Sequence, residues 1–297
     1  MRINLTGFTG AHKKGSNQKG VIGLSNLLKD ILIDNGHVAD YGLENPDLNI
    51  VCVLDLSSIN ASNAVACLEL LRNEKCIIAF DDWNIKAFYK TIDKVLETKQ
   101  FSKTHHTVDY RGVLDNLDIL EKLSKGEYKS IYPAYKTGNH DLLEIRGEKI
   151  CLDPSIYIEK DESRYPSGTH RLLAVHASLA PKWSDLNKRK YSILNLKGEK
   201  EETVYDYYKR HRIVVTPAHY HDGSGWFRNR YALANKAKAV IIEDQSGVFG
   251  DSYRVERKSI TEKNIEEIYE AQNEAYNNTI MDKSEISAAL AAAFADI

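Results

Sequence analysis

No stretch of this sequence approaches the roughly 18 consecutive apolar residues that a bilayer-spanning helix needs, so no membrane element is expected. The opening, MRINLTGFTGAHKKG, lacks the apolar core of a secretion signal, and a cytoplasmic protein is expected. Cysteine is scarce. Cys52, Cys67, Cys76 and Cys151 form no CxxC pair, and Cys52 and Cys76 fall in strand-like apolar runs. Buried free thiols in a reducing compartment follow, rather than a disulfide framework. Three nucleotide-site signatures are also missing: GxGxxG, the GKS or GKT of a Walker loop, and any DxD metal motif. A nicotinamide or ATP site of standard type is therefore not expected. Charge is balanced, with net −2, which neither demands nor excludes a polyanionic partner because local patches decide.

What is present describes an ordinary globular chain. Its 297 residues are 42% hydrophobic and 28% charged, with no short-period repeat or low-complexity tract. The order of elements is more telling. RINL reads as a short strand, and VIGLSNLLKDILIDNGH has apolar residues at helical spacing and ends at a natural stop, Asn35-Gly36. NIVCVLDL and CIIAF are continuous apolar runs of the buried parallel-strand type, each followed by a helical pattern. LDNLDILEKLSKG reads as a helix and SIYPAY as a short strand, while LDPSIYIEKDESRYPSG reads as a connection. The alternation then restarts. HRLLAVHA, KYSILNL, RIVVTPA and AVIIED read as strands, with helices between them and a long amphipathic helix in TEKNIEEIYEAQNEAYNNTI. Strands alternating with helices imply parallel sheets, and two such arrays imply two Rossmann-like domains facing each other across a cleft. The expected boundaries are 1–165, 166–282 and a terminal helical segment, 283–297, packing back on the first domain.

In an open α/β sheet ligands bind beyond the carboxyl ends of the strands, which directs attention to a few loops. TGFTGAHKKGSNQKG follows the first strand and carries Gly10, His12 and Lys13; it is expected to line the cleft. Asp81 and Asp82 end a buried strand, and two adjacent carboxylates suit general-base work on a hydroxyl, although one of them can instead cap the next helix. Lys86, Lys90 and Lys94 are spaced four apart and share a helix face, which fits either a solvated row or a groove for nucleic-acid phosphates. In the second array, LAVHASLAPKW places His176, Ser178 and Lys182 at a strand end.

The stretch HYHDGSGWFRNRYALANKAKAVIIED is the most informative. Gly223, Ser224 and Gly225 permit close backbone approach, and a helix starting near Trp226 would put Arg228 and Arg230 in or near its first turn. Basic side chains are unfavourable at a helix N-terminus, so a bound anion is the better explanation for them. His219 and His221 offer an HxH pair without further ligands at matching spacing, so no metal site is expected. Glu243 and Asp244 end the next strand, where a carboxylate can accept from ribose hydroxyls.

These residues resemble the two-Rossmann-domain glycosyltransferases of GT-B architecture. The resemblance implies that the amino-terminal domain presents the acceptor and the carboxyl-terminal domain holds a nucleoside-diphosphate sugar, here a UDP-sugar. It implies donor contacts from His176, Ser178, Lys182, His219, Gly225, Trp226, Arg228, Arg230 and Glu243, and acceptor contacts from Gly10, His12, Lys13, Lys86 and Lys90. Asp81 or Asp82 would deprotonate the acceptor if configuration inverts. The chain departs from the usual pattern in carrying Arg228 and Arg230 where a glutamate is common, and in lacking an arginine before Lys182. Its size and the lysine row make it similar to the bacteriophage enzymes that glycosylate hydroxymethylated pyrimidines in double-stranded DNA. No cofactor beyond the nucleotide-sugar co-substrate is implied, and a monomer is expected. Two other readings stand beside this one: a non-catalytic nucleotide or nucleic-acid binding module, and a sugar-nucleotide epimerase.

Overall fold

A computed structural model describes residues 1–8, 24–53, 61–81, 85–100, 111–158, 173–176, 191–194, 208, 211–216, 223–243, 248–256, 259–261 and 263–297. The first unit is a six-stranded sheet of β1 (Arg2–Gly7), β2 (Val38–Tyr41), β3 (Leu48–Val53), β4 (Cys76–Phe80), β5 (Ser130–Tyr132) and β6 (Lys149–Cys151). Its order is β2-β1-β3-β4-β5-β6, and every pairing is parallel. The second sheet comprises β7 (Leu173–His176), β8 (Tyr191–Leu194), β9 (Ile213–Thr216) and β10 (Val240–Glu243), in the order β10-β9-β7-β8 and again parallel throughout. Each sheet thus begins at an inner strand, puts its second strand on one side and continues on the other. That reversal makes a crevice at the carboxyl ends of β1 and β3, and a second at those of β7 and β9.

The apolar runs explain the central strands. All six residues of β3 are buried, because helices cover both faces of a parallel sheet. Leu48, Ile50 and Cys52 point into one core, with α1 (Leu24–Asp34), while Val51 and Val53 point into the other. That second core includes residues of α2 (Ala61–Asn73), α3 (Ile85–Thr98) and α5 (Leu117–Lys125), which follows a short α4 (Arg111–Leu114). α5 stops at Gly126, whose left-handed φ of 71° lets its N–H reach back to the Leu123 carbonyl. The two sheet-edge strands were not visible in the sequence pattern. β2 and β6 have four and three residues and lie at the edges, where no long apolar period is required.

In the second unit α6 (Asn229–Lys236) precedes β10, and α7 (Ile265–Asn277) packs on both. Buried Gln272 of α7 accepts from the Ile241 N–H at 2.9 Å and donates to its carbonyl at 2.8 Å. One side-chain amide thereby satisfies both backbone groups of Ile241 on edge strand β10. α8 (Lys283–Phe294) starts with a capping box between Asp282 and Glu285 and lies against the first unit. Lys129 donates to the Ala292 and Ala295 carbonyls at its far end, Lys283 pairs with Asp34 at 2.7 Å, and Phe294 meets the His37 ring edge-on. No helix among the described residues is long and apolar enough to cross a membrane.

Candidate functional site between the two sheets

Asp81 directly follows β4. Its N–H donates to the Val53 carbonyl at 2.9 Å, which fixes it beside the carboxyl end of β3, and it is half-buried. Burial raises the Tyr41 hydroxyl and the Cys52 thiol far above their usual ranges, and the nearby Asp81 carboxylate adds to both shifts. Asp81 therefore stands at the crevice of the first sheet, within electrostatic reach of the ends of β2 and β3. Asp82 and the loop residues Gly10, His12 and Lys13 lie outside the described residues, as do Ser178, Lys182 and His219. Lys86 and Lys90 are exposed on α3, as is Lys94, one turn further on. Lys86 is paired with Glu144 at 2.9 Å, so part of its charge is already answered.

In the second sheet His176 ends β7 and Glu243 ends β10, with Glu243 in register with Thr216 of β9. Both are therefore placed at the carboxyl ends that flank the second crevice. α6 begins at Asn229, three residues later than the sequence pattern suggests. Arg228 is its N-cap in extended conformation (φ −117°, ψ 102°), and Arg230 is in the first turn. The Arg228 side chain is buried to 9% exposure, its guanidinium 3.1 Å from the Tyr231 hydroxyl and over that ring.

The segment before Arg228, which includes Gly225 and Trp226, joins the two units. Trp226 forms an antiparallel bridge with Ala134 and is buried in the first unit's second core, which also holds Phe8 and Phe80. Around it the Tyr135 N–H donates to the Gly225 carbonyl at 2.6 Å, Phe227 N–H to Pro133 at 3.0 Å, and Asn139 N–H to Gly223 at 2.8 Å. Gly225 has φ +78°, and a Cβ there would stand 2.6 Å from the Gly138 Cα. These glycines permit a close approach of the two backbones to each other. An aromatic box of Tyr135, Phe227, Tyr231, Phe249, Tyr253 and Tyr276 seals the junction, with ring centroids 4.5–6.1 Å apart. Tyr135 and Tyr231 were not singled out from the sequence. SIYPAY reads as a strand, and nothing in its spacing marks a tyrosine that reaches a residue 93 positions away.

Among the described residues no group of three or more His, Cys, Asp and Glu side chains is placed to hold a metal ion. No family model and no curated protein matches the chain. Solved structures do. T4 phage BGT in complex with its UDP-glucose substrate is similar over 100% of both chains, with TM-score 0.59 and 11% identity. A structure of T4 phage beta-glucosyltransferase gives TM-score 0.57 at 10% identity, again over both whole chains. The DNA-modifying enzyme beta-glucosyltransferase, solved with and without uridine diphosphoglucose, gives 0.55 at 11% over the same span.

The chain has the GT-B fold.

At this level of identity the likeness concerns the fold and not the side chains. Asp81 lies beside the carboxyl end of β3 in the amino-terminal sheet, His176 and Glu243 end strands of the carboxyl-terminal one, and Arg228 and Arg230 stand at the start of α6. The seam at Gly138 and Gly225 fixes how the two sheets face each other.

Proposed function

We propose that this protein is a glycosyltransferase that moves a sugar from a UDP-sugar to an acceptor hydroxyl, the acceptor being a hydroxymethylated pyrimidine in double-stranded DNA. The observation that carries the reading is the full-length likeness to structures of an enzyme solved with UDP-glucose and described as DNA-modifying. The position of Asp81 beside the carboxyl end of β3 and that of Arg228 at the start of α6 are consistent with it. In this reading Lys182, Arg228 and Arg230 neutralise the diphosphate as the bond from its terminal oxygen to the sugar's anomeric carbon breaks. For displacement with inversion, Asp81 or Asp82 takes the proton from the attacking hydroxyl. His176 and Glu243 hold the ribose or base. The exposed Lys86 and Lys90 line the path of the DNA backbone, and UDP and glycosylated DNA leave.

Burial of the Arg228 guanidinium against Tyr231 keeps it pre-set, so little rotamer freedom is lost when the donor binds. The Asp81→Asn variant tests the assignment of the base. Transfer is expected to fall by about 10²–10⁴-fold while UDP affinity stays within about twofold. Wild-type turnover in that variant would remove Asp81 from the mechanism and leave Asp82 as the base.

A further inference from the structure

The donor arginine is held by the opposite unit. Arg228 belongs to the second sheet's array, yet its backbone is fastened from the first through Tyr135, the third residue past β5's last strand position. The Tyr135 phenol is 1% exposed, and its hydroxyl donates to the Arg228 carbonyl at 3.2 Å. That carbonyl also receives the Tyr231 N–H at 2.9 Å, the first hydrogen bond of α6. The Tyr135 N–H holds Gly225 three residues before Arg228, and its own carbonyl accepts from His140 Nε2 at 2.8 Å, anchoring it to the first unit. Tyr231 completes the circuit, because its hydroxyl is the partner of the Arg228 guanidinium. The Tyr135 phenol thus contacts the cap carbonyl of α6, and its N–H holds the chain that leads into that cap.

We propose that Tyr135 is a positioning residue for the donor site, holding Arg228 at the N-terminus of α6 so that its guanidinium meets the diphosphate. This inference rests on the reading of Arg228 as a diphosphate ligand. It gives the first unit a share in donor binding that the division into an acceptor half and a donor half does not include.

Tyr135→Phe tests it, because the phenylalanine keeps the ring in the aromatic box and removes the hydroxyl alone. UDP titrated calorimetrically into the full-length variant should bind about three- to tenfold more weakly than to wild type, the loss expected for one hydrogen bond. The KM for the UDP-sugar should rise by the same factor with kcat changed less than about twofold, since the groups on the acceptor side are untouched. A purely structural tyrosine would lower the melting temperature and leave UDP affinity unchanged, and that outcome overturns the inference alone. A wild-type protein that binds no UDP overturns the functional reading, and the inference with it.

Discussion

Asp153 is a carboxyl group with no solvent exposure, set just past β6 where the first unit meets the start of α8. It accepts from Ser155 N–H and Oγ at 2.9 and 2.5 Å and from the Met281 N–H at 3.3 Å. Burial outweighs these bonds and pushes its pKa up to about 6, with Lys136 acting in the opposite direction. Burial raises the Tyr135 and Tyr276 hydroxyls, and the nearby Asp153 charge adds to both shifts. A folded-state pKa above the unfolded one means that the folded protein takes up the proton. Stability from this group is complete below about pH 4 and is lost as pH rises through about 6, to a total of about 3 kcal/mol. The melting temperature of wild type should therefore fall relative to that of Asp153→Asn between about pH 4 and pH 7, then run parallel to it. Other carboxylates, such as Asp93 beside Arg146 and Asp34 beside Lys283, are held low by their partners and titrate in both proteins. Parallel profiles across the whole range would contradict the account of Asp153. At this scale the sequence spoke through charge and position: Asp81 at a strand end and Arg228 at a helix start were legible. Asp153, Tyr135 and Tyr231 were not, because their importance comes from partners far away in the chain.

Among the elements, those with long apolar patterns were readable and those defined by pairing were not. β3, β4, α3 and α5 follow from runs and helical spacing, since burial on one or both faces imposes the pattern. β2 and β6 are short edge strands, whose exposed side frees them from that constraint. The ribbon between residues 133–139 and 223–227 is the clearest case. Its glycines read as room for a ligand, because a sequence cannot say whether a close approach is to a phosphate or to another backbone. The seam can be tested without any ligand. Gly138 has no left-handed φ, so Gly138→Ala introduces a steric clash with Gly225 and little intrinsic strain. It should destabilise the protein by about 1–3 kcal/mol in denaturant unfolding. Wild-type stability in this variant would mean that the two segments are not in contact.

For the whole molecule, two parallel sheets with the same strand order face each other, joined by the Trp226 seam and by the aromatic box. Tyr135, Tyr231 and Ile286 belong to one continuous apolar core that also contains Ile3 and Ile50. The two-array architecture was legible in the alternation of strand and helix, which is a property of the entire chain and survives 11% identity to similar folds. The most direct test of sugar transfer is the release of UDP from UDP-glucose in the presence of duplex DNA carrying hydroxymethylated pyrimidines. The account predicts UDP release matched mole for mole by sugar on the duplex, and much less release with unmodified duplex. No UDP released above the protein-free control, from UDP-glucose or any other UDP-sugar, would contradict it.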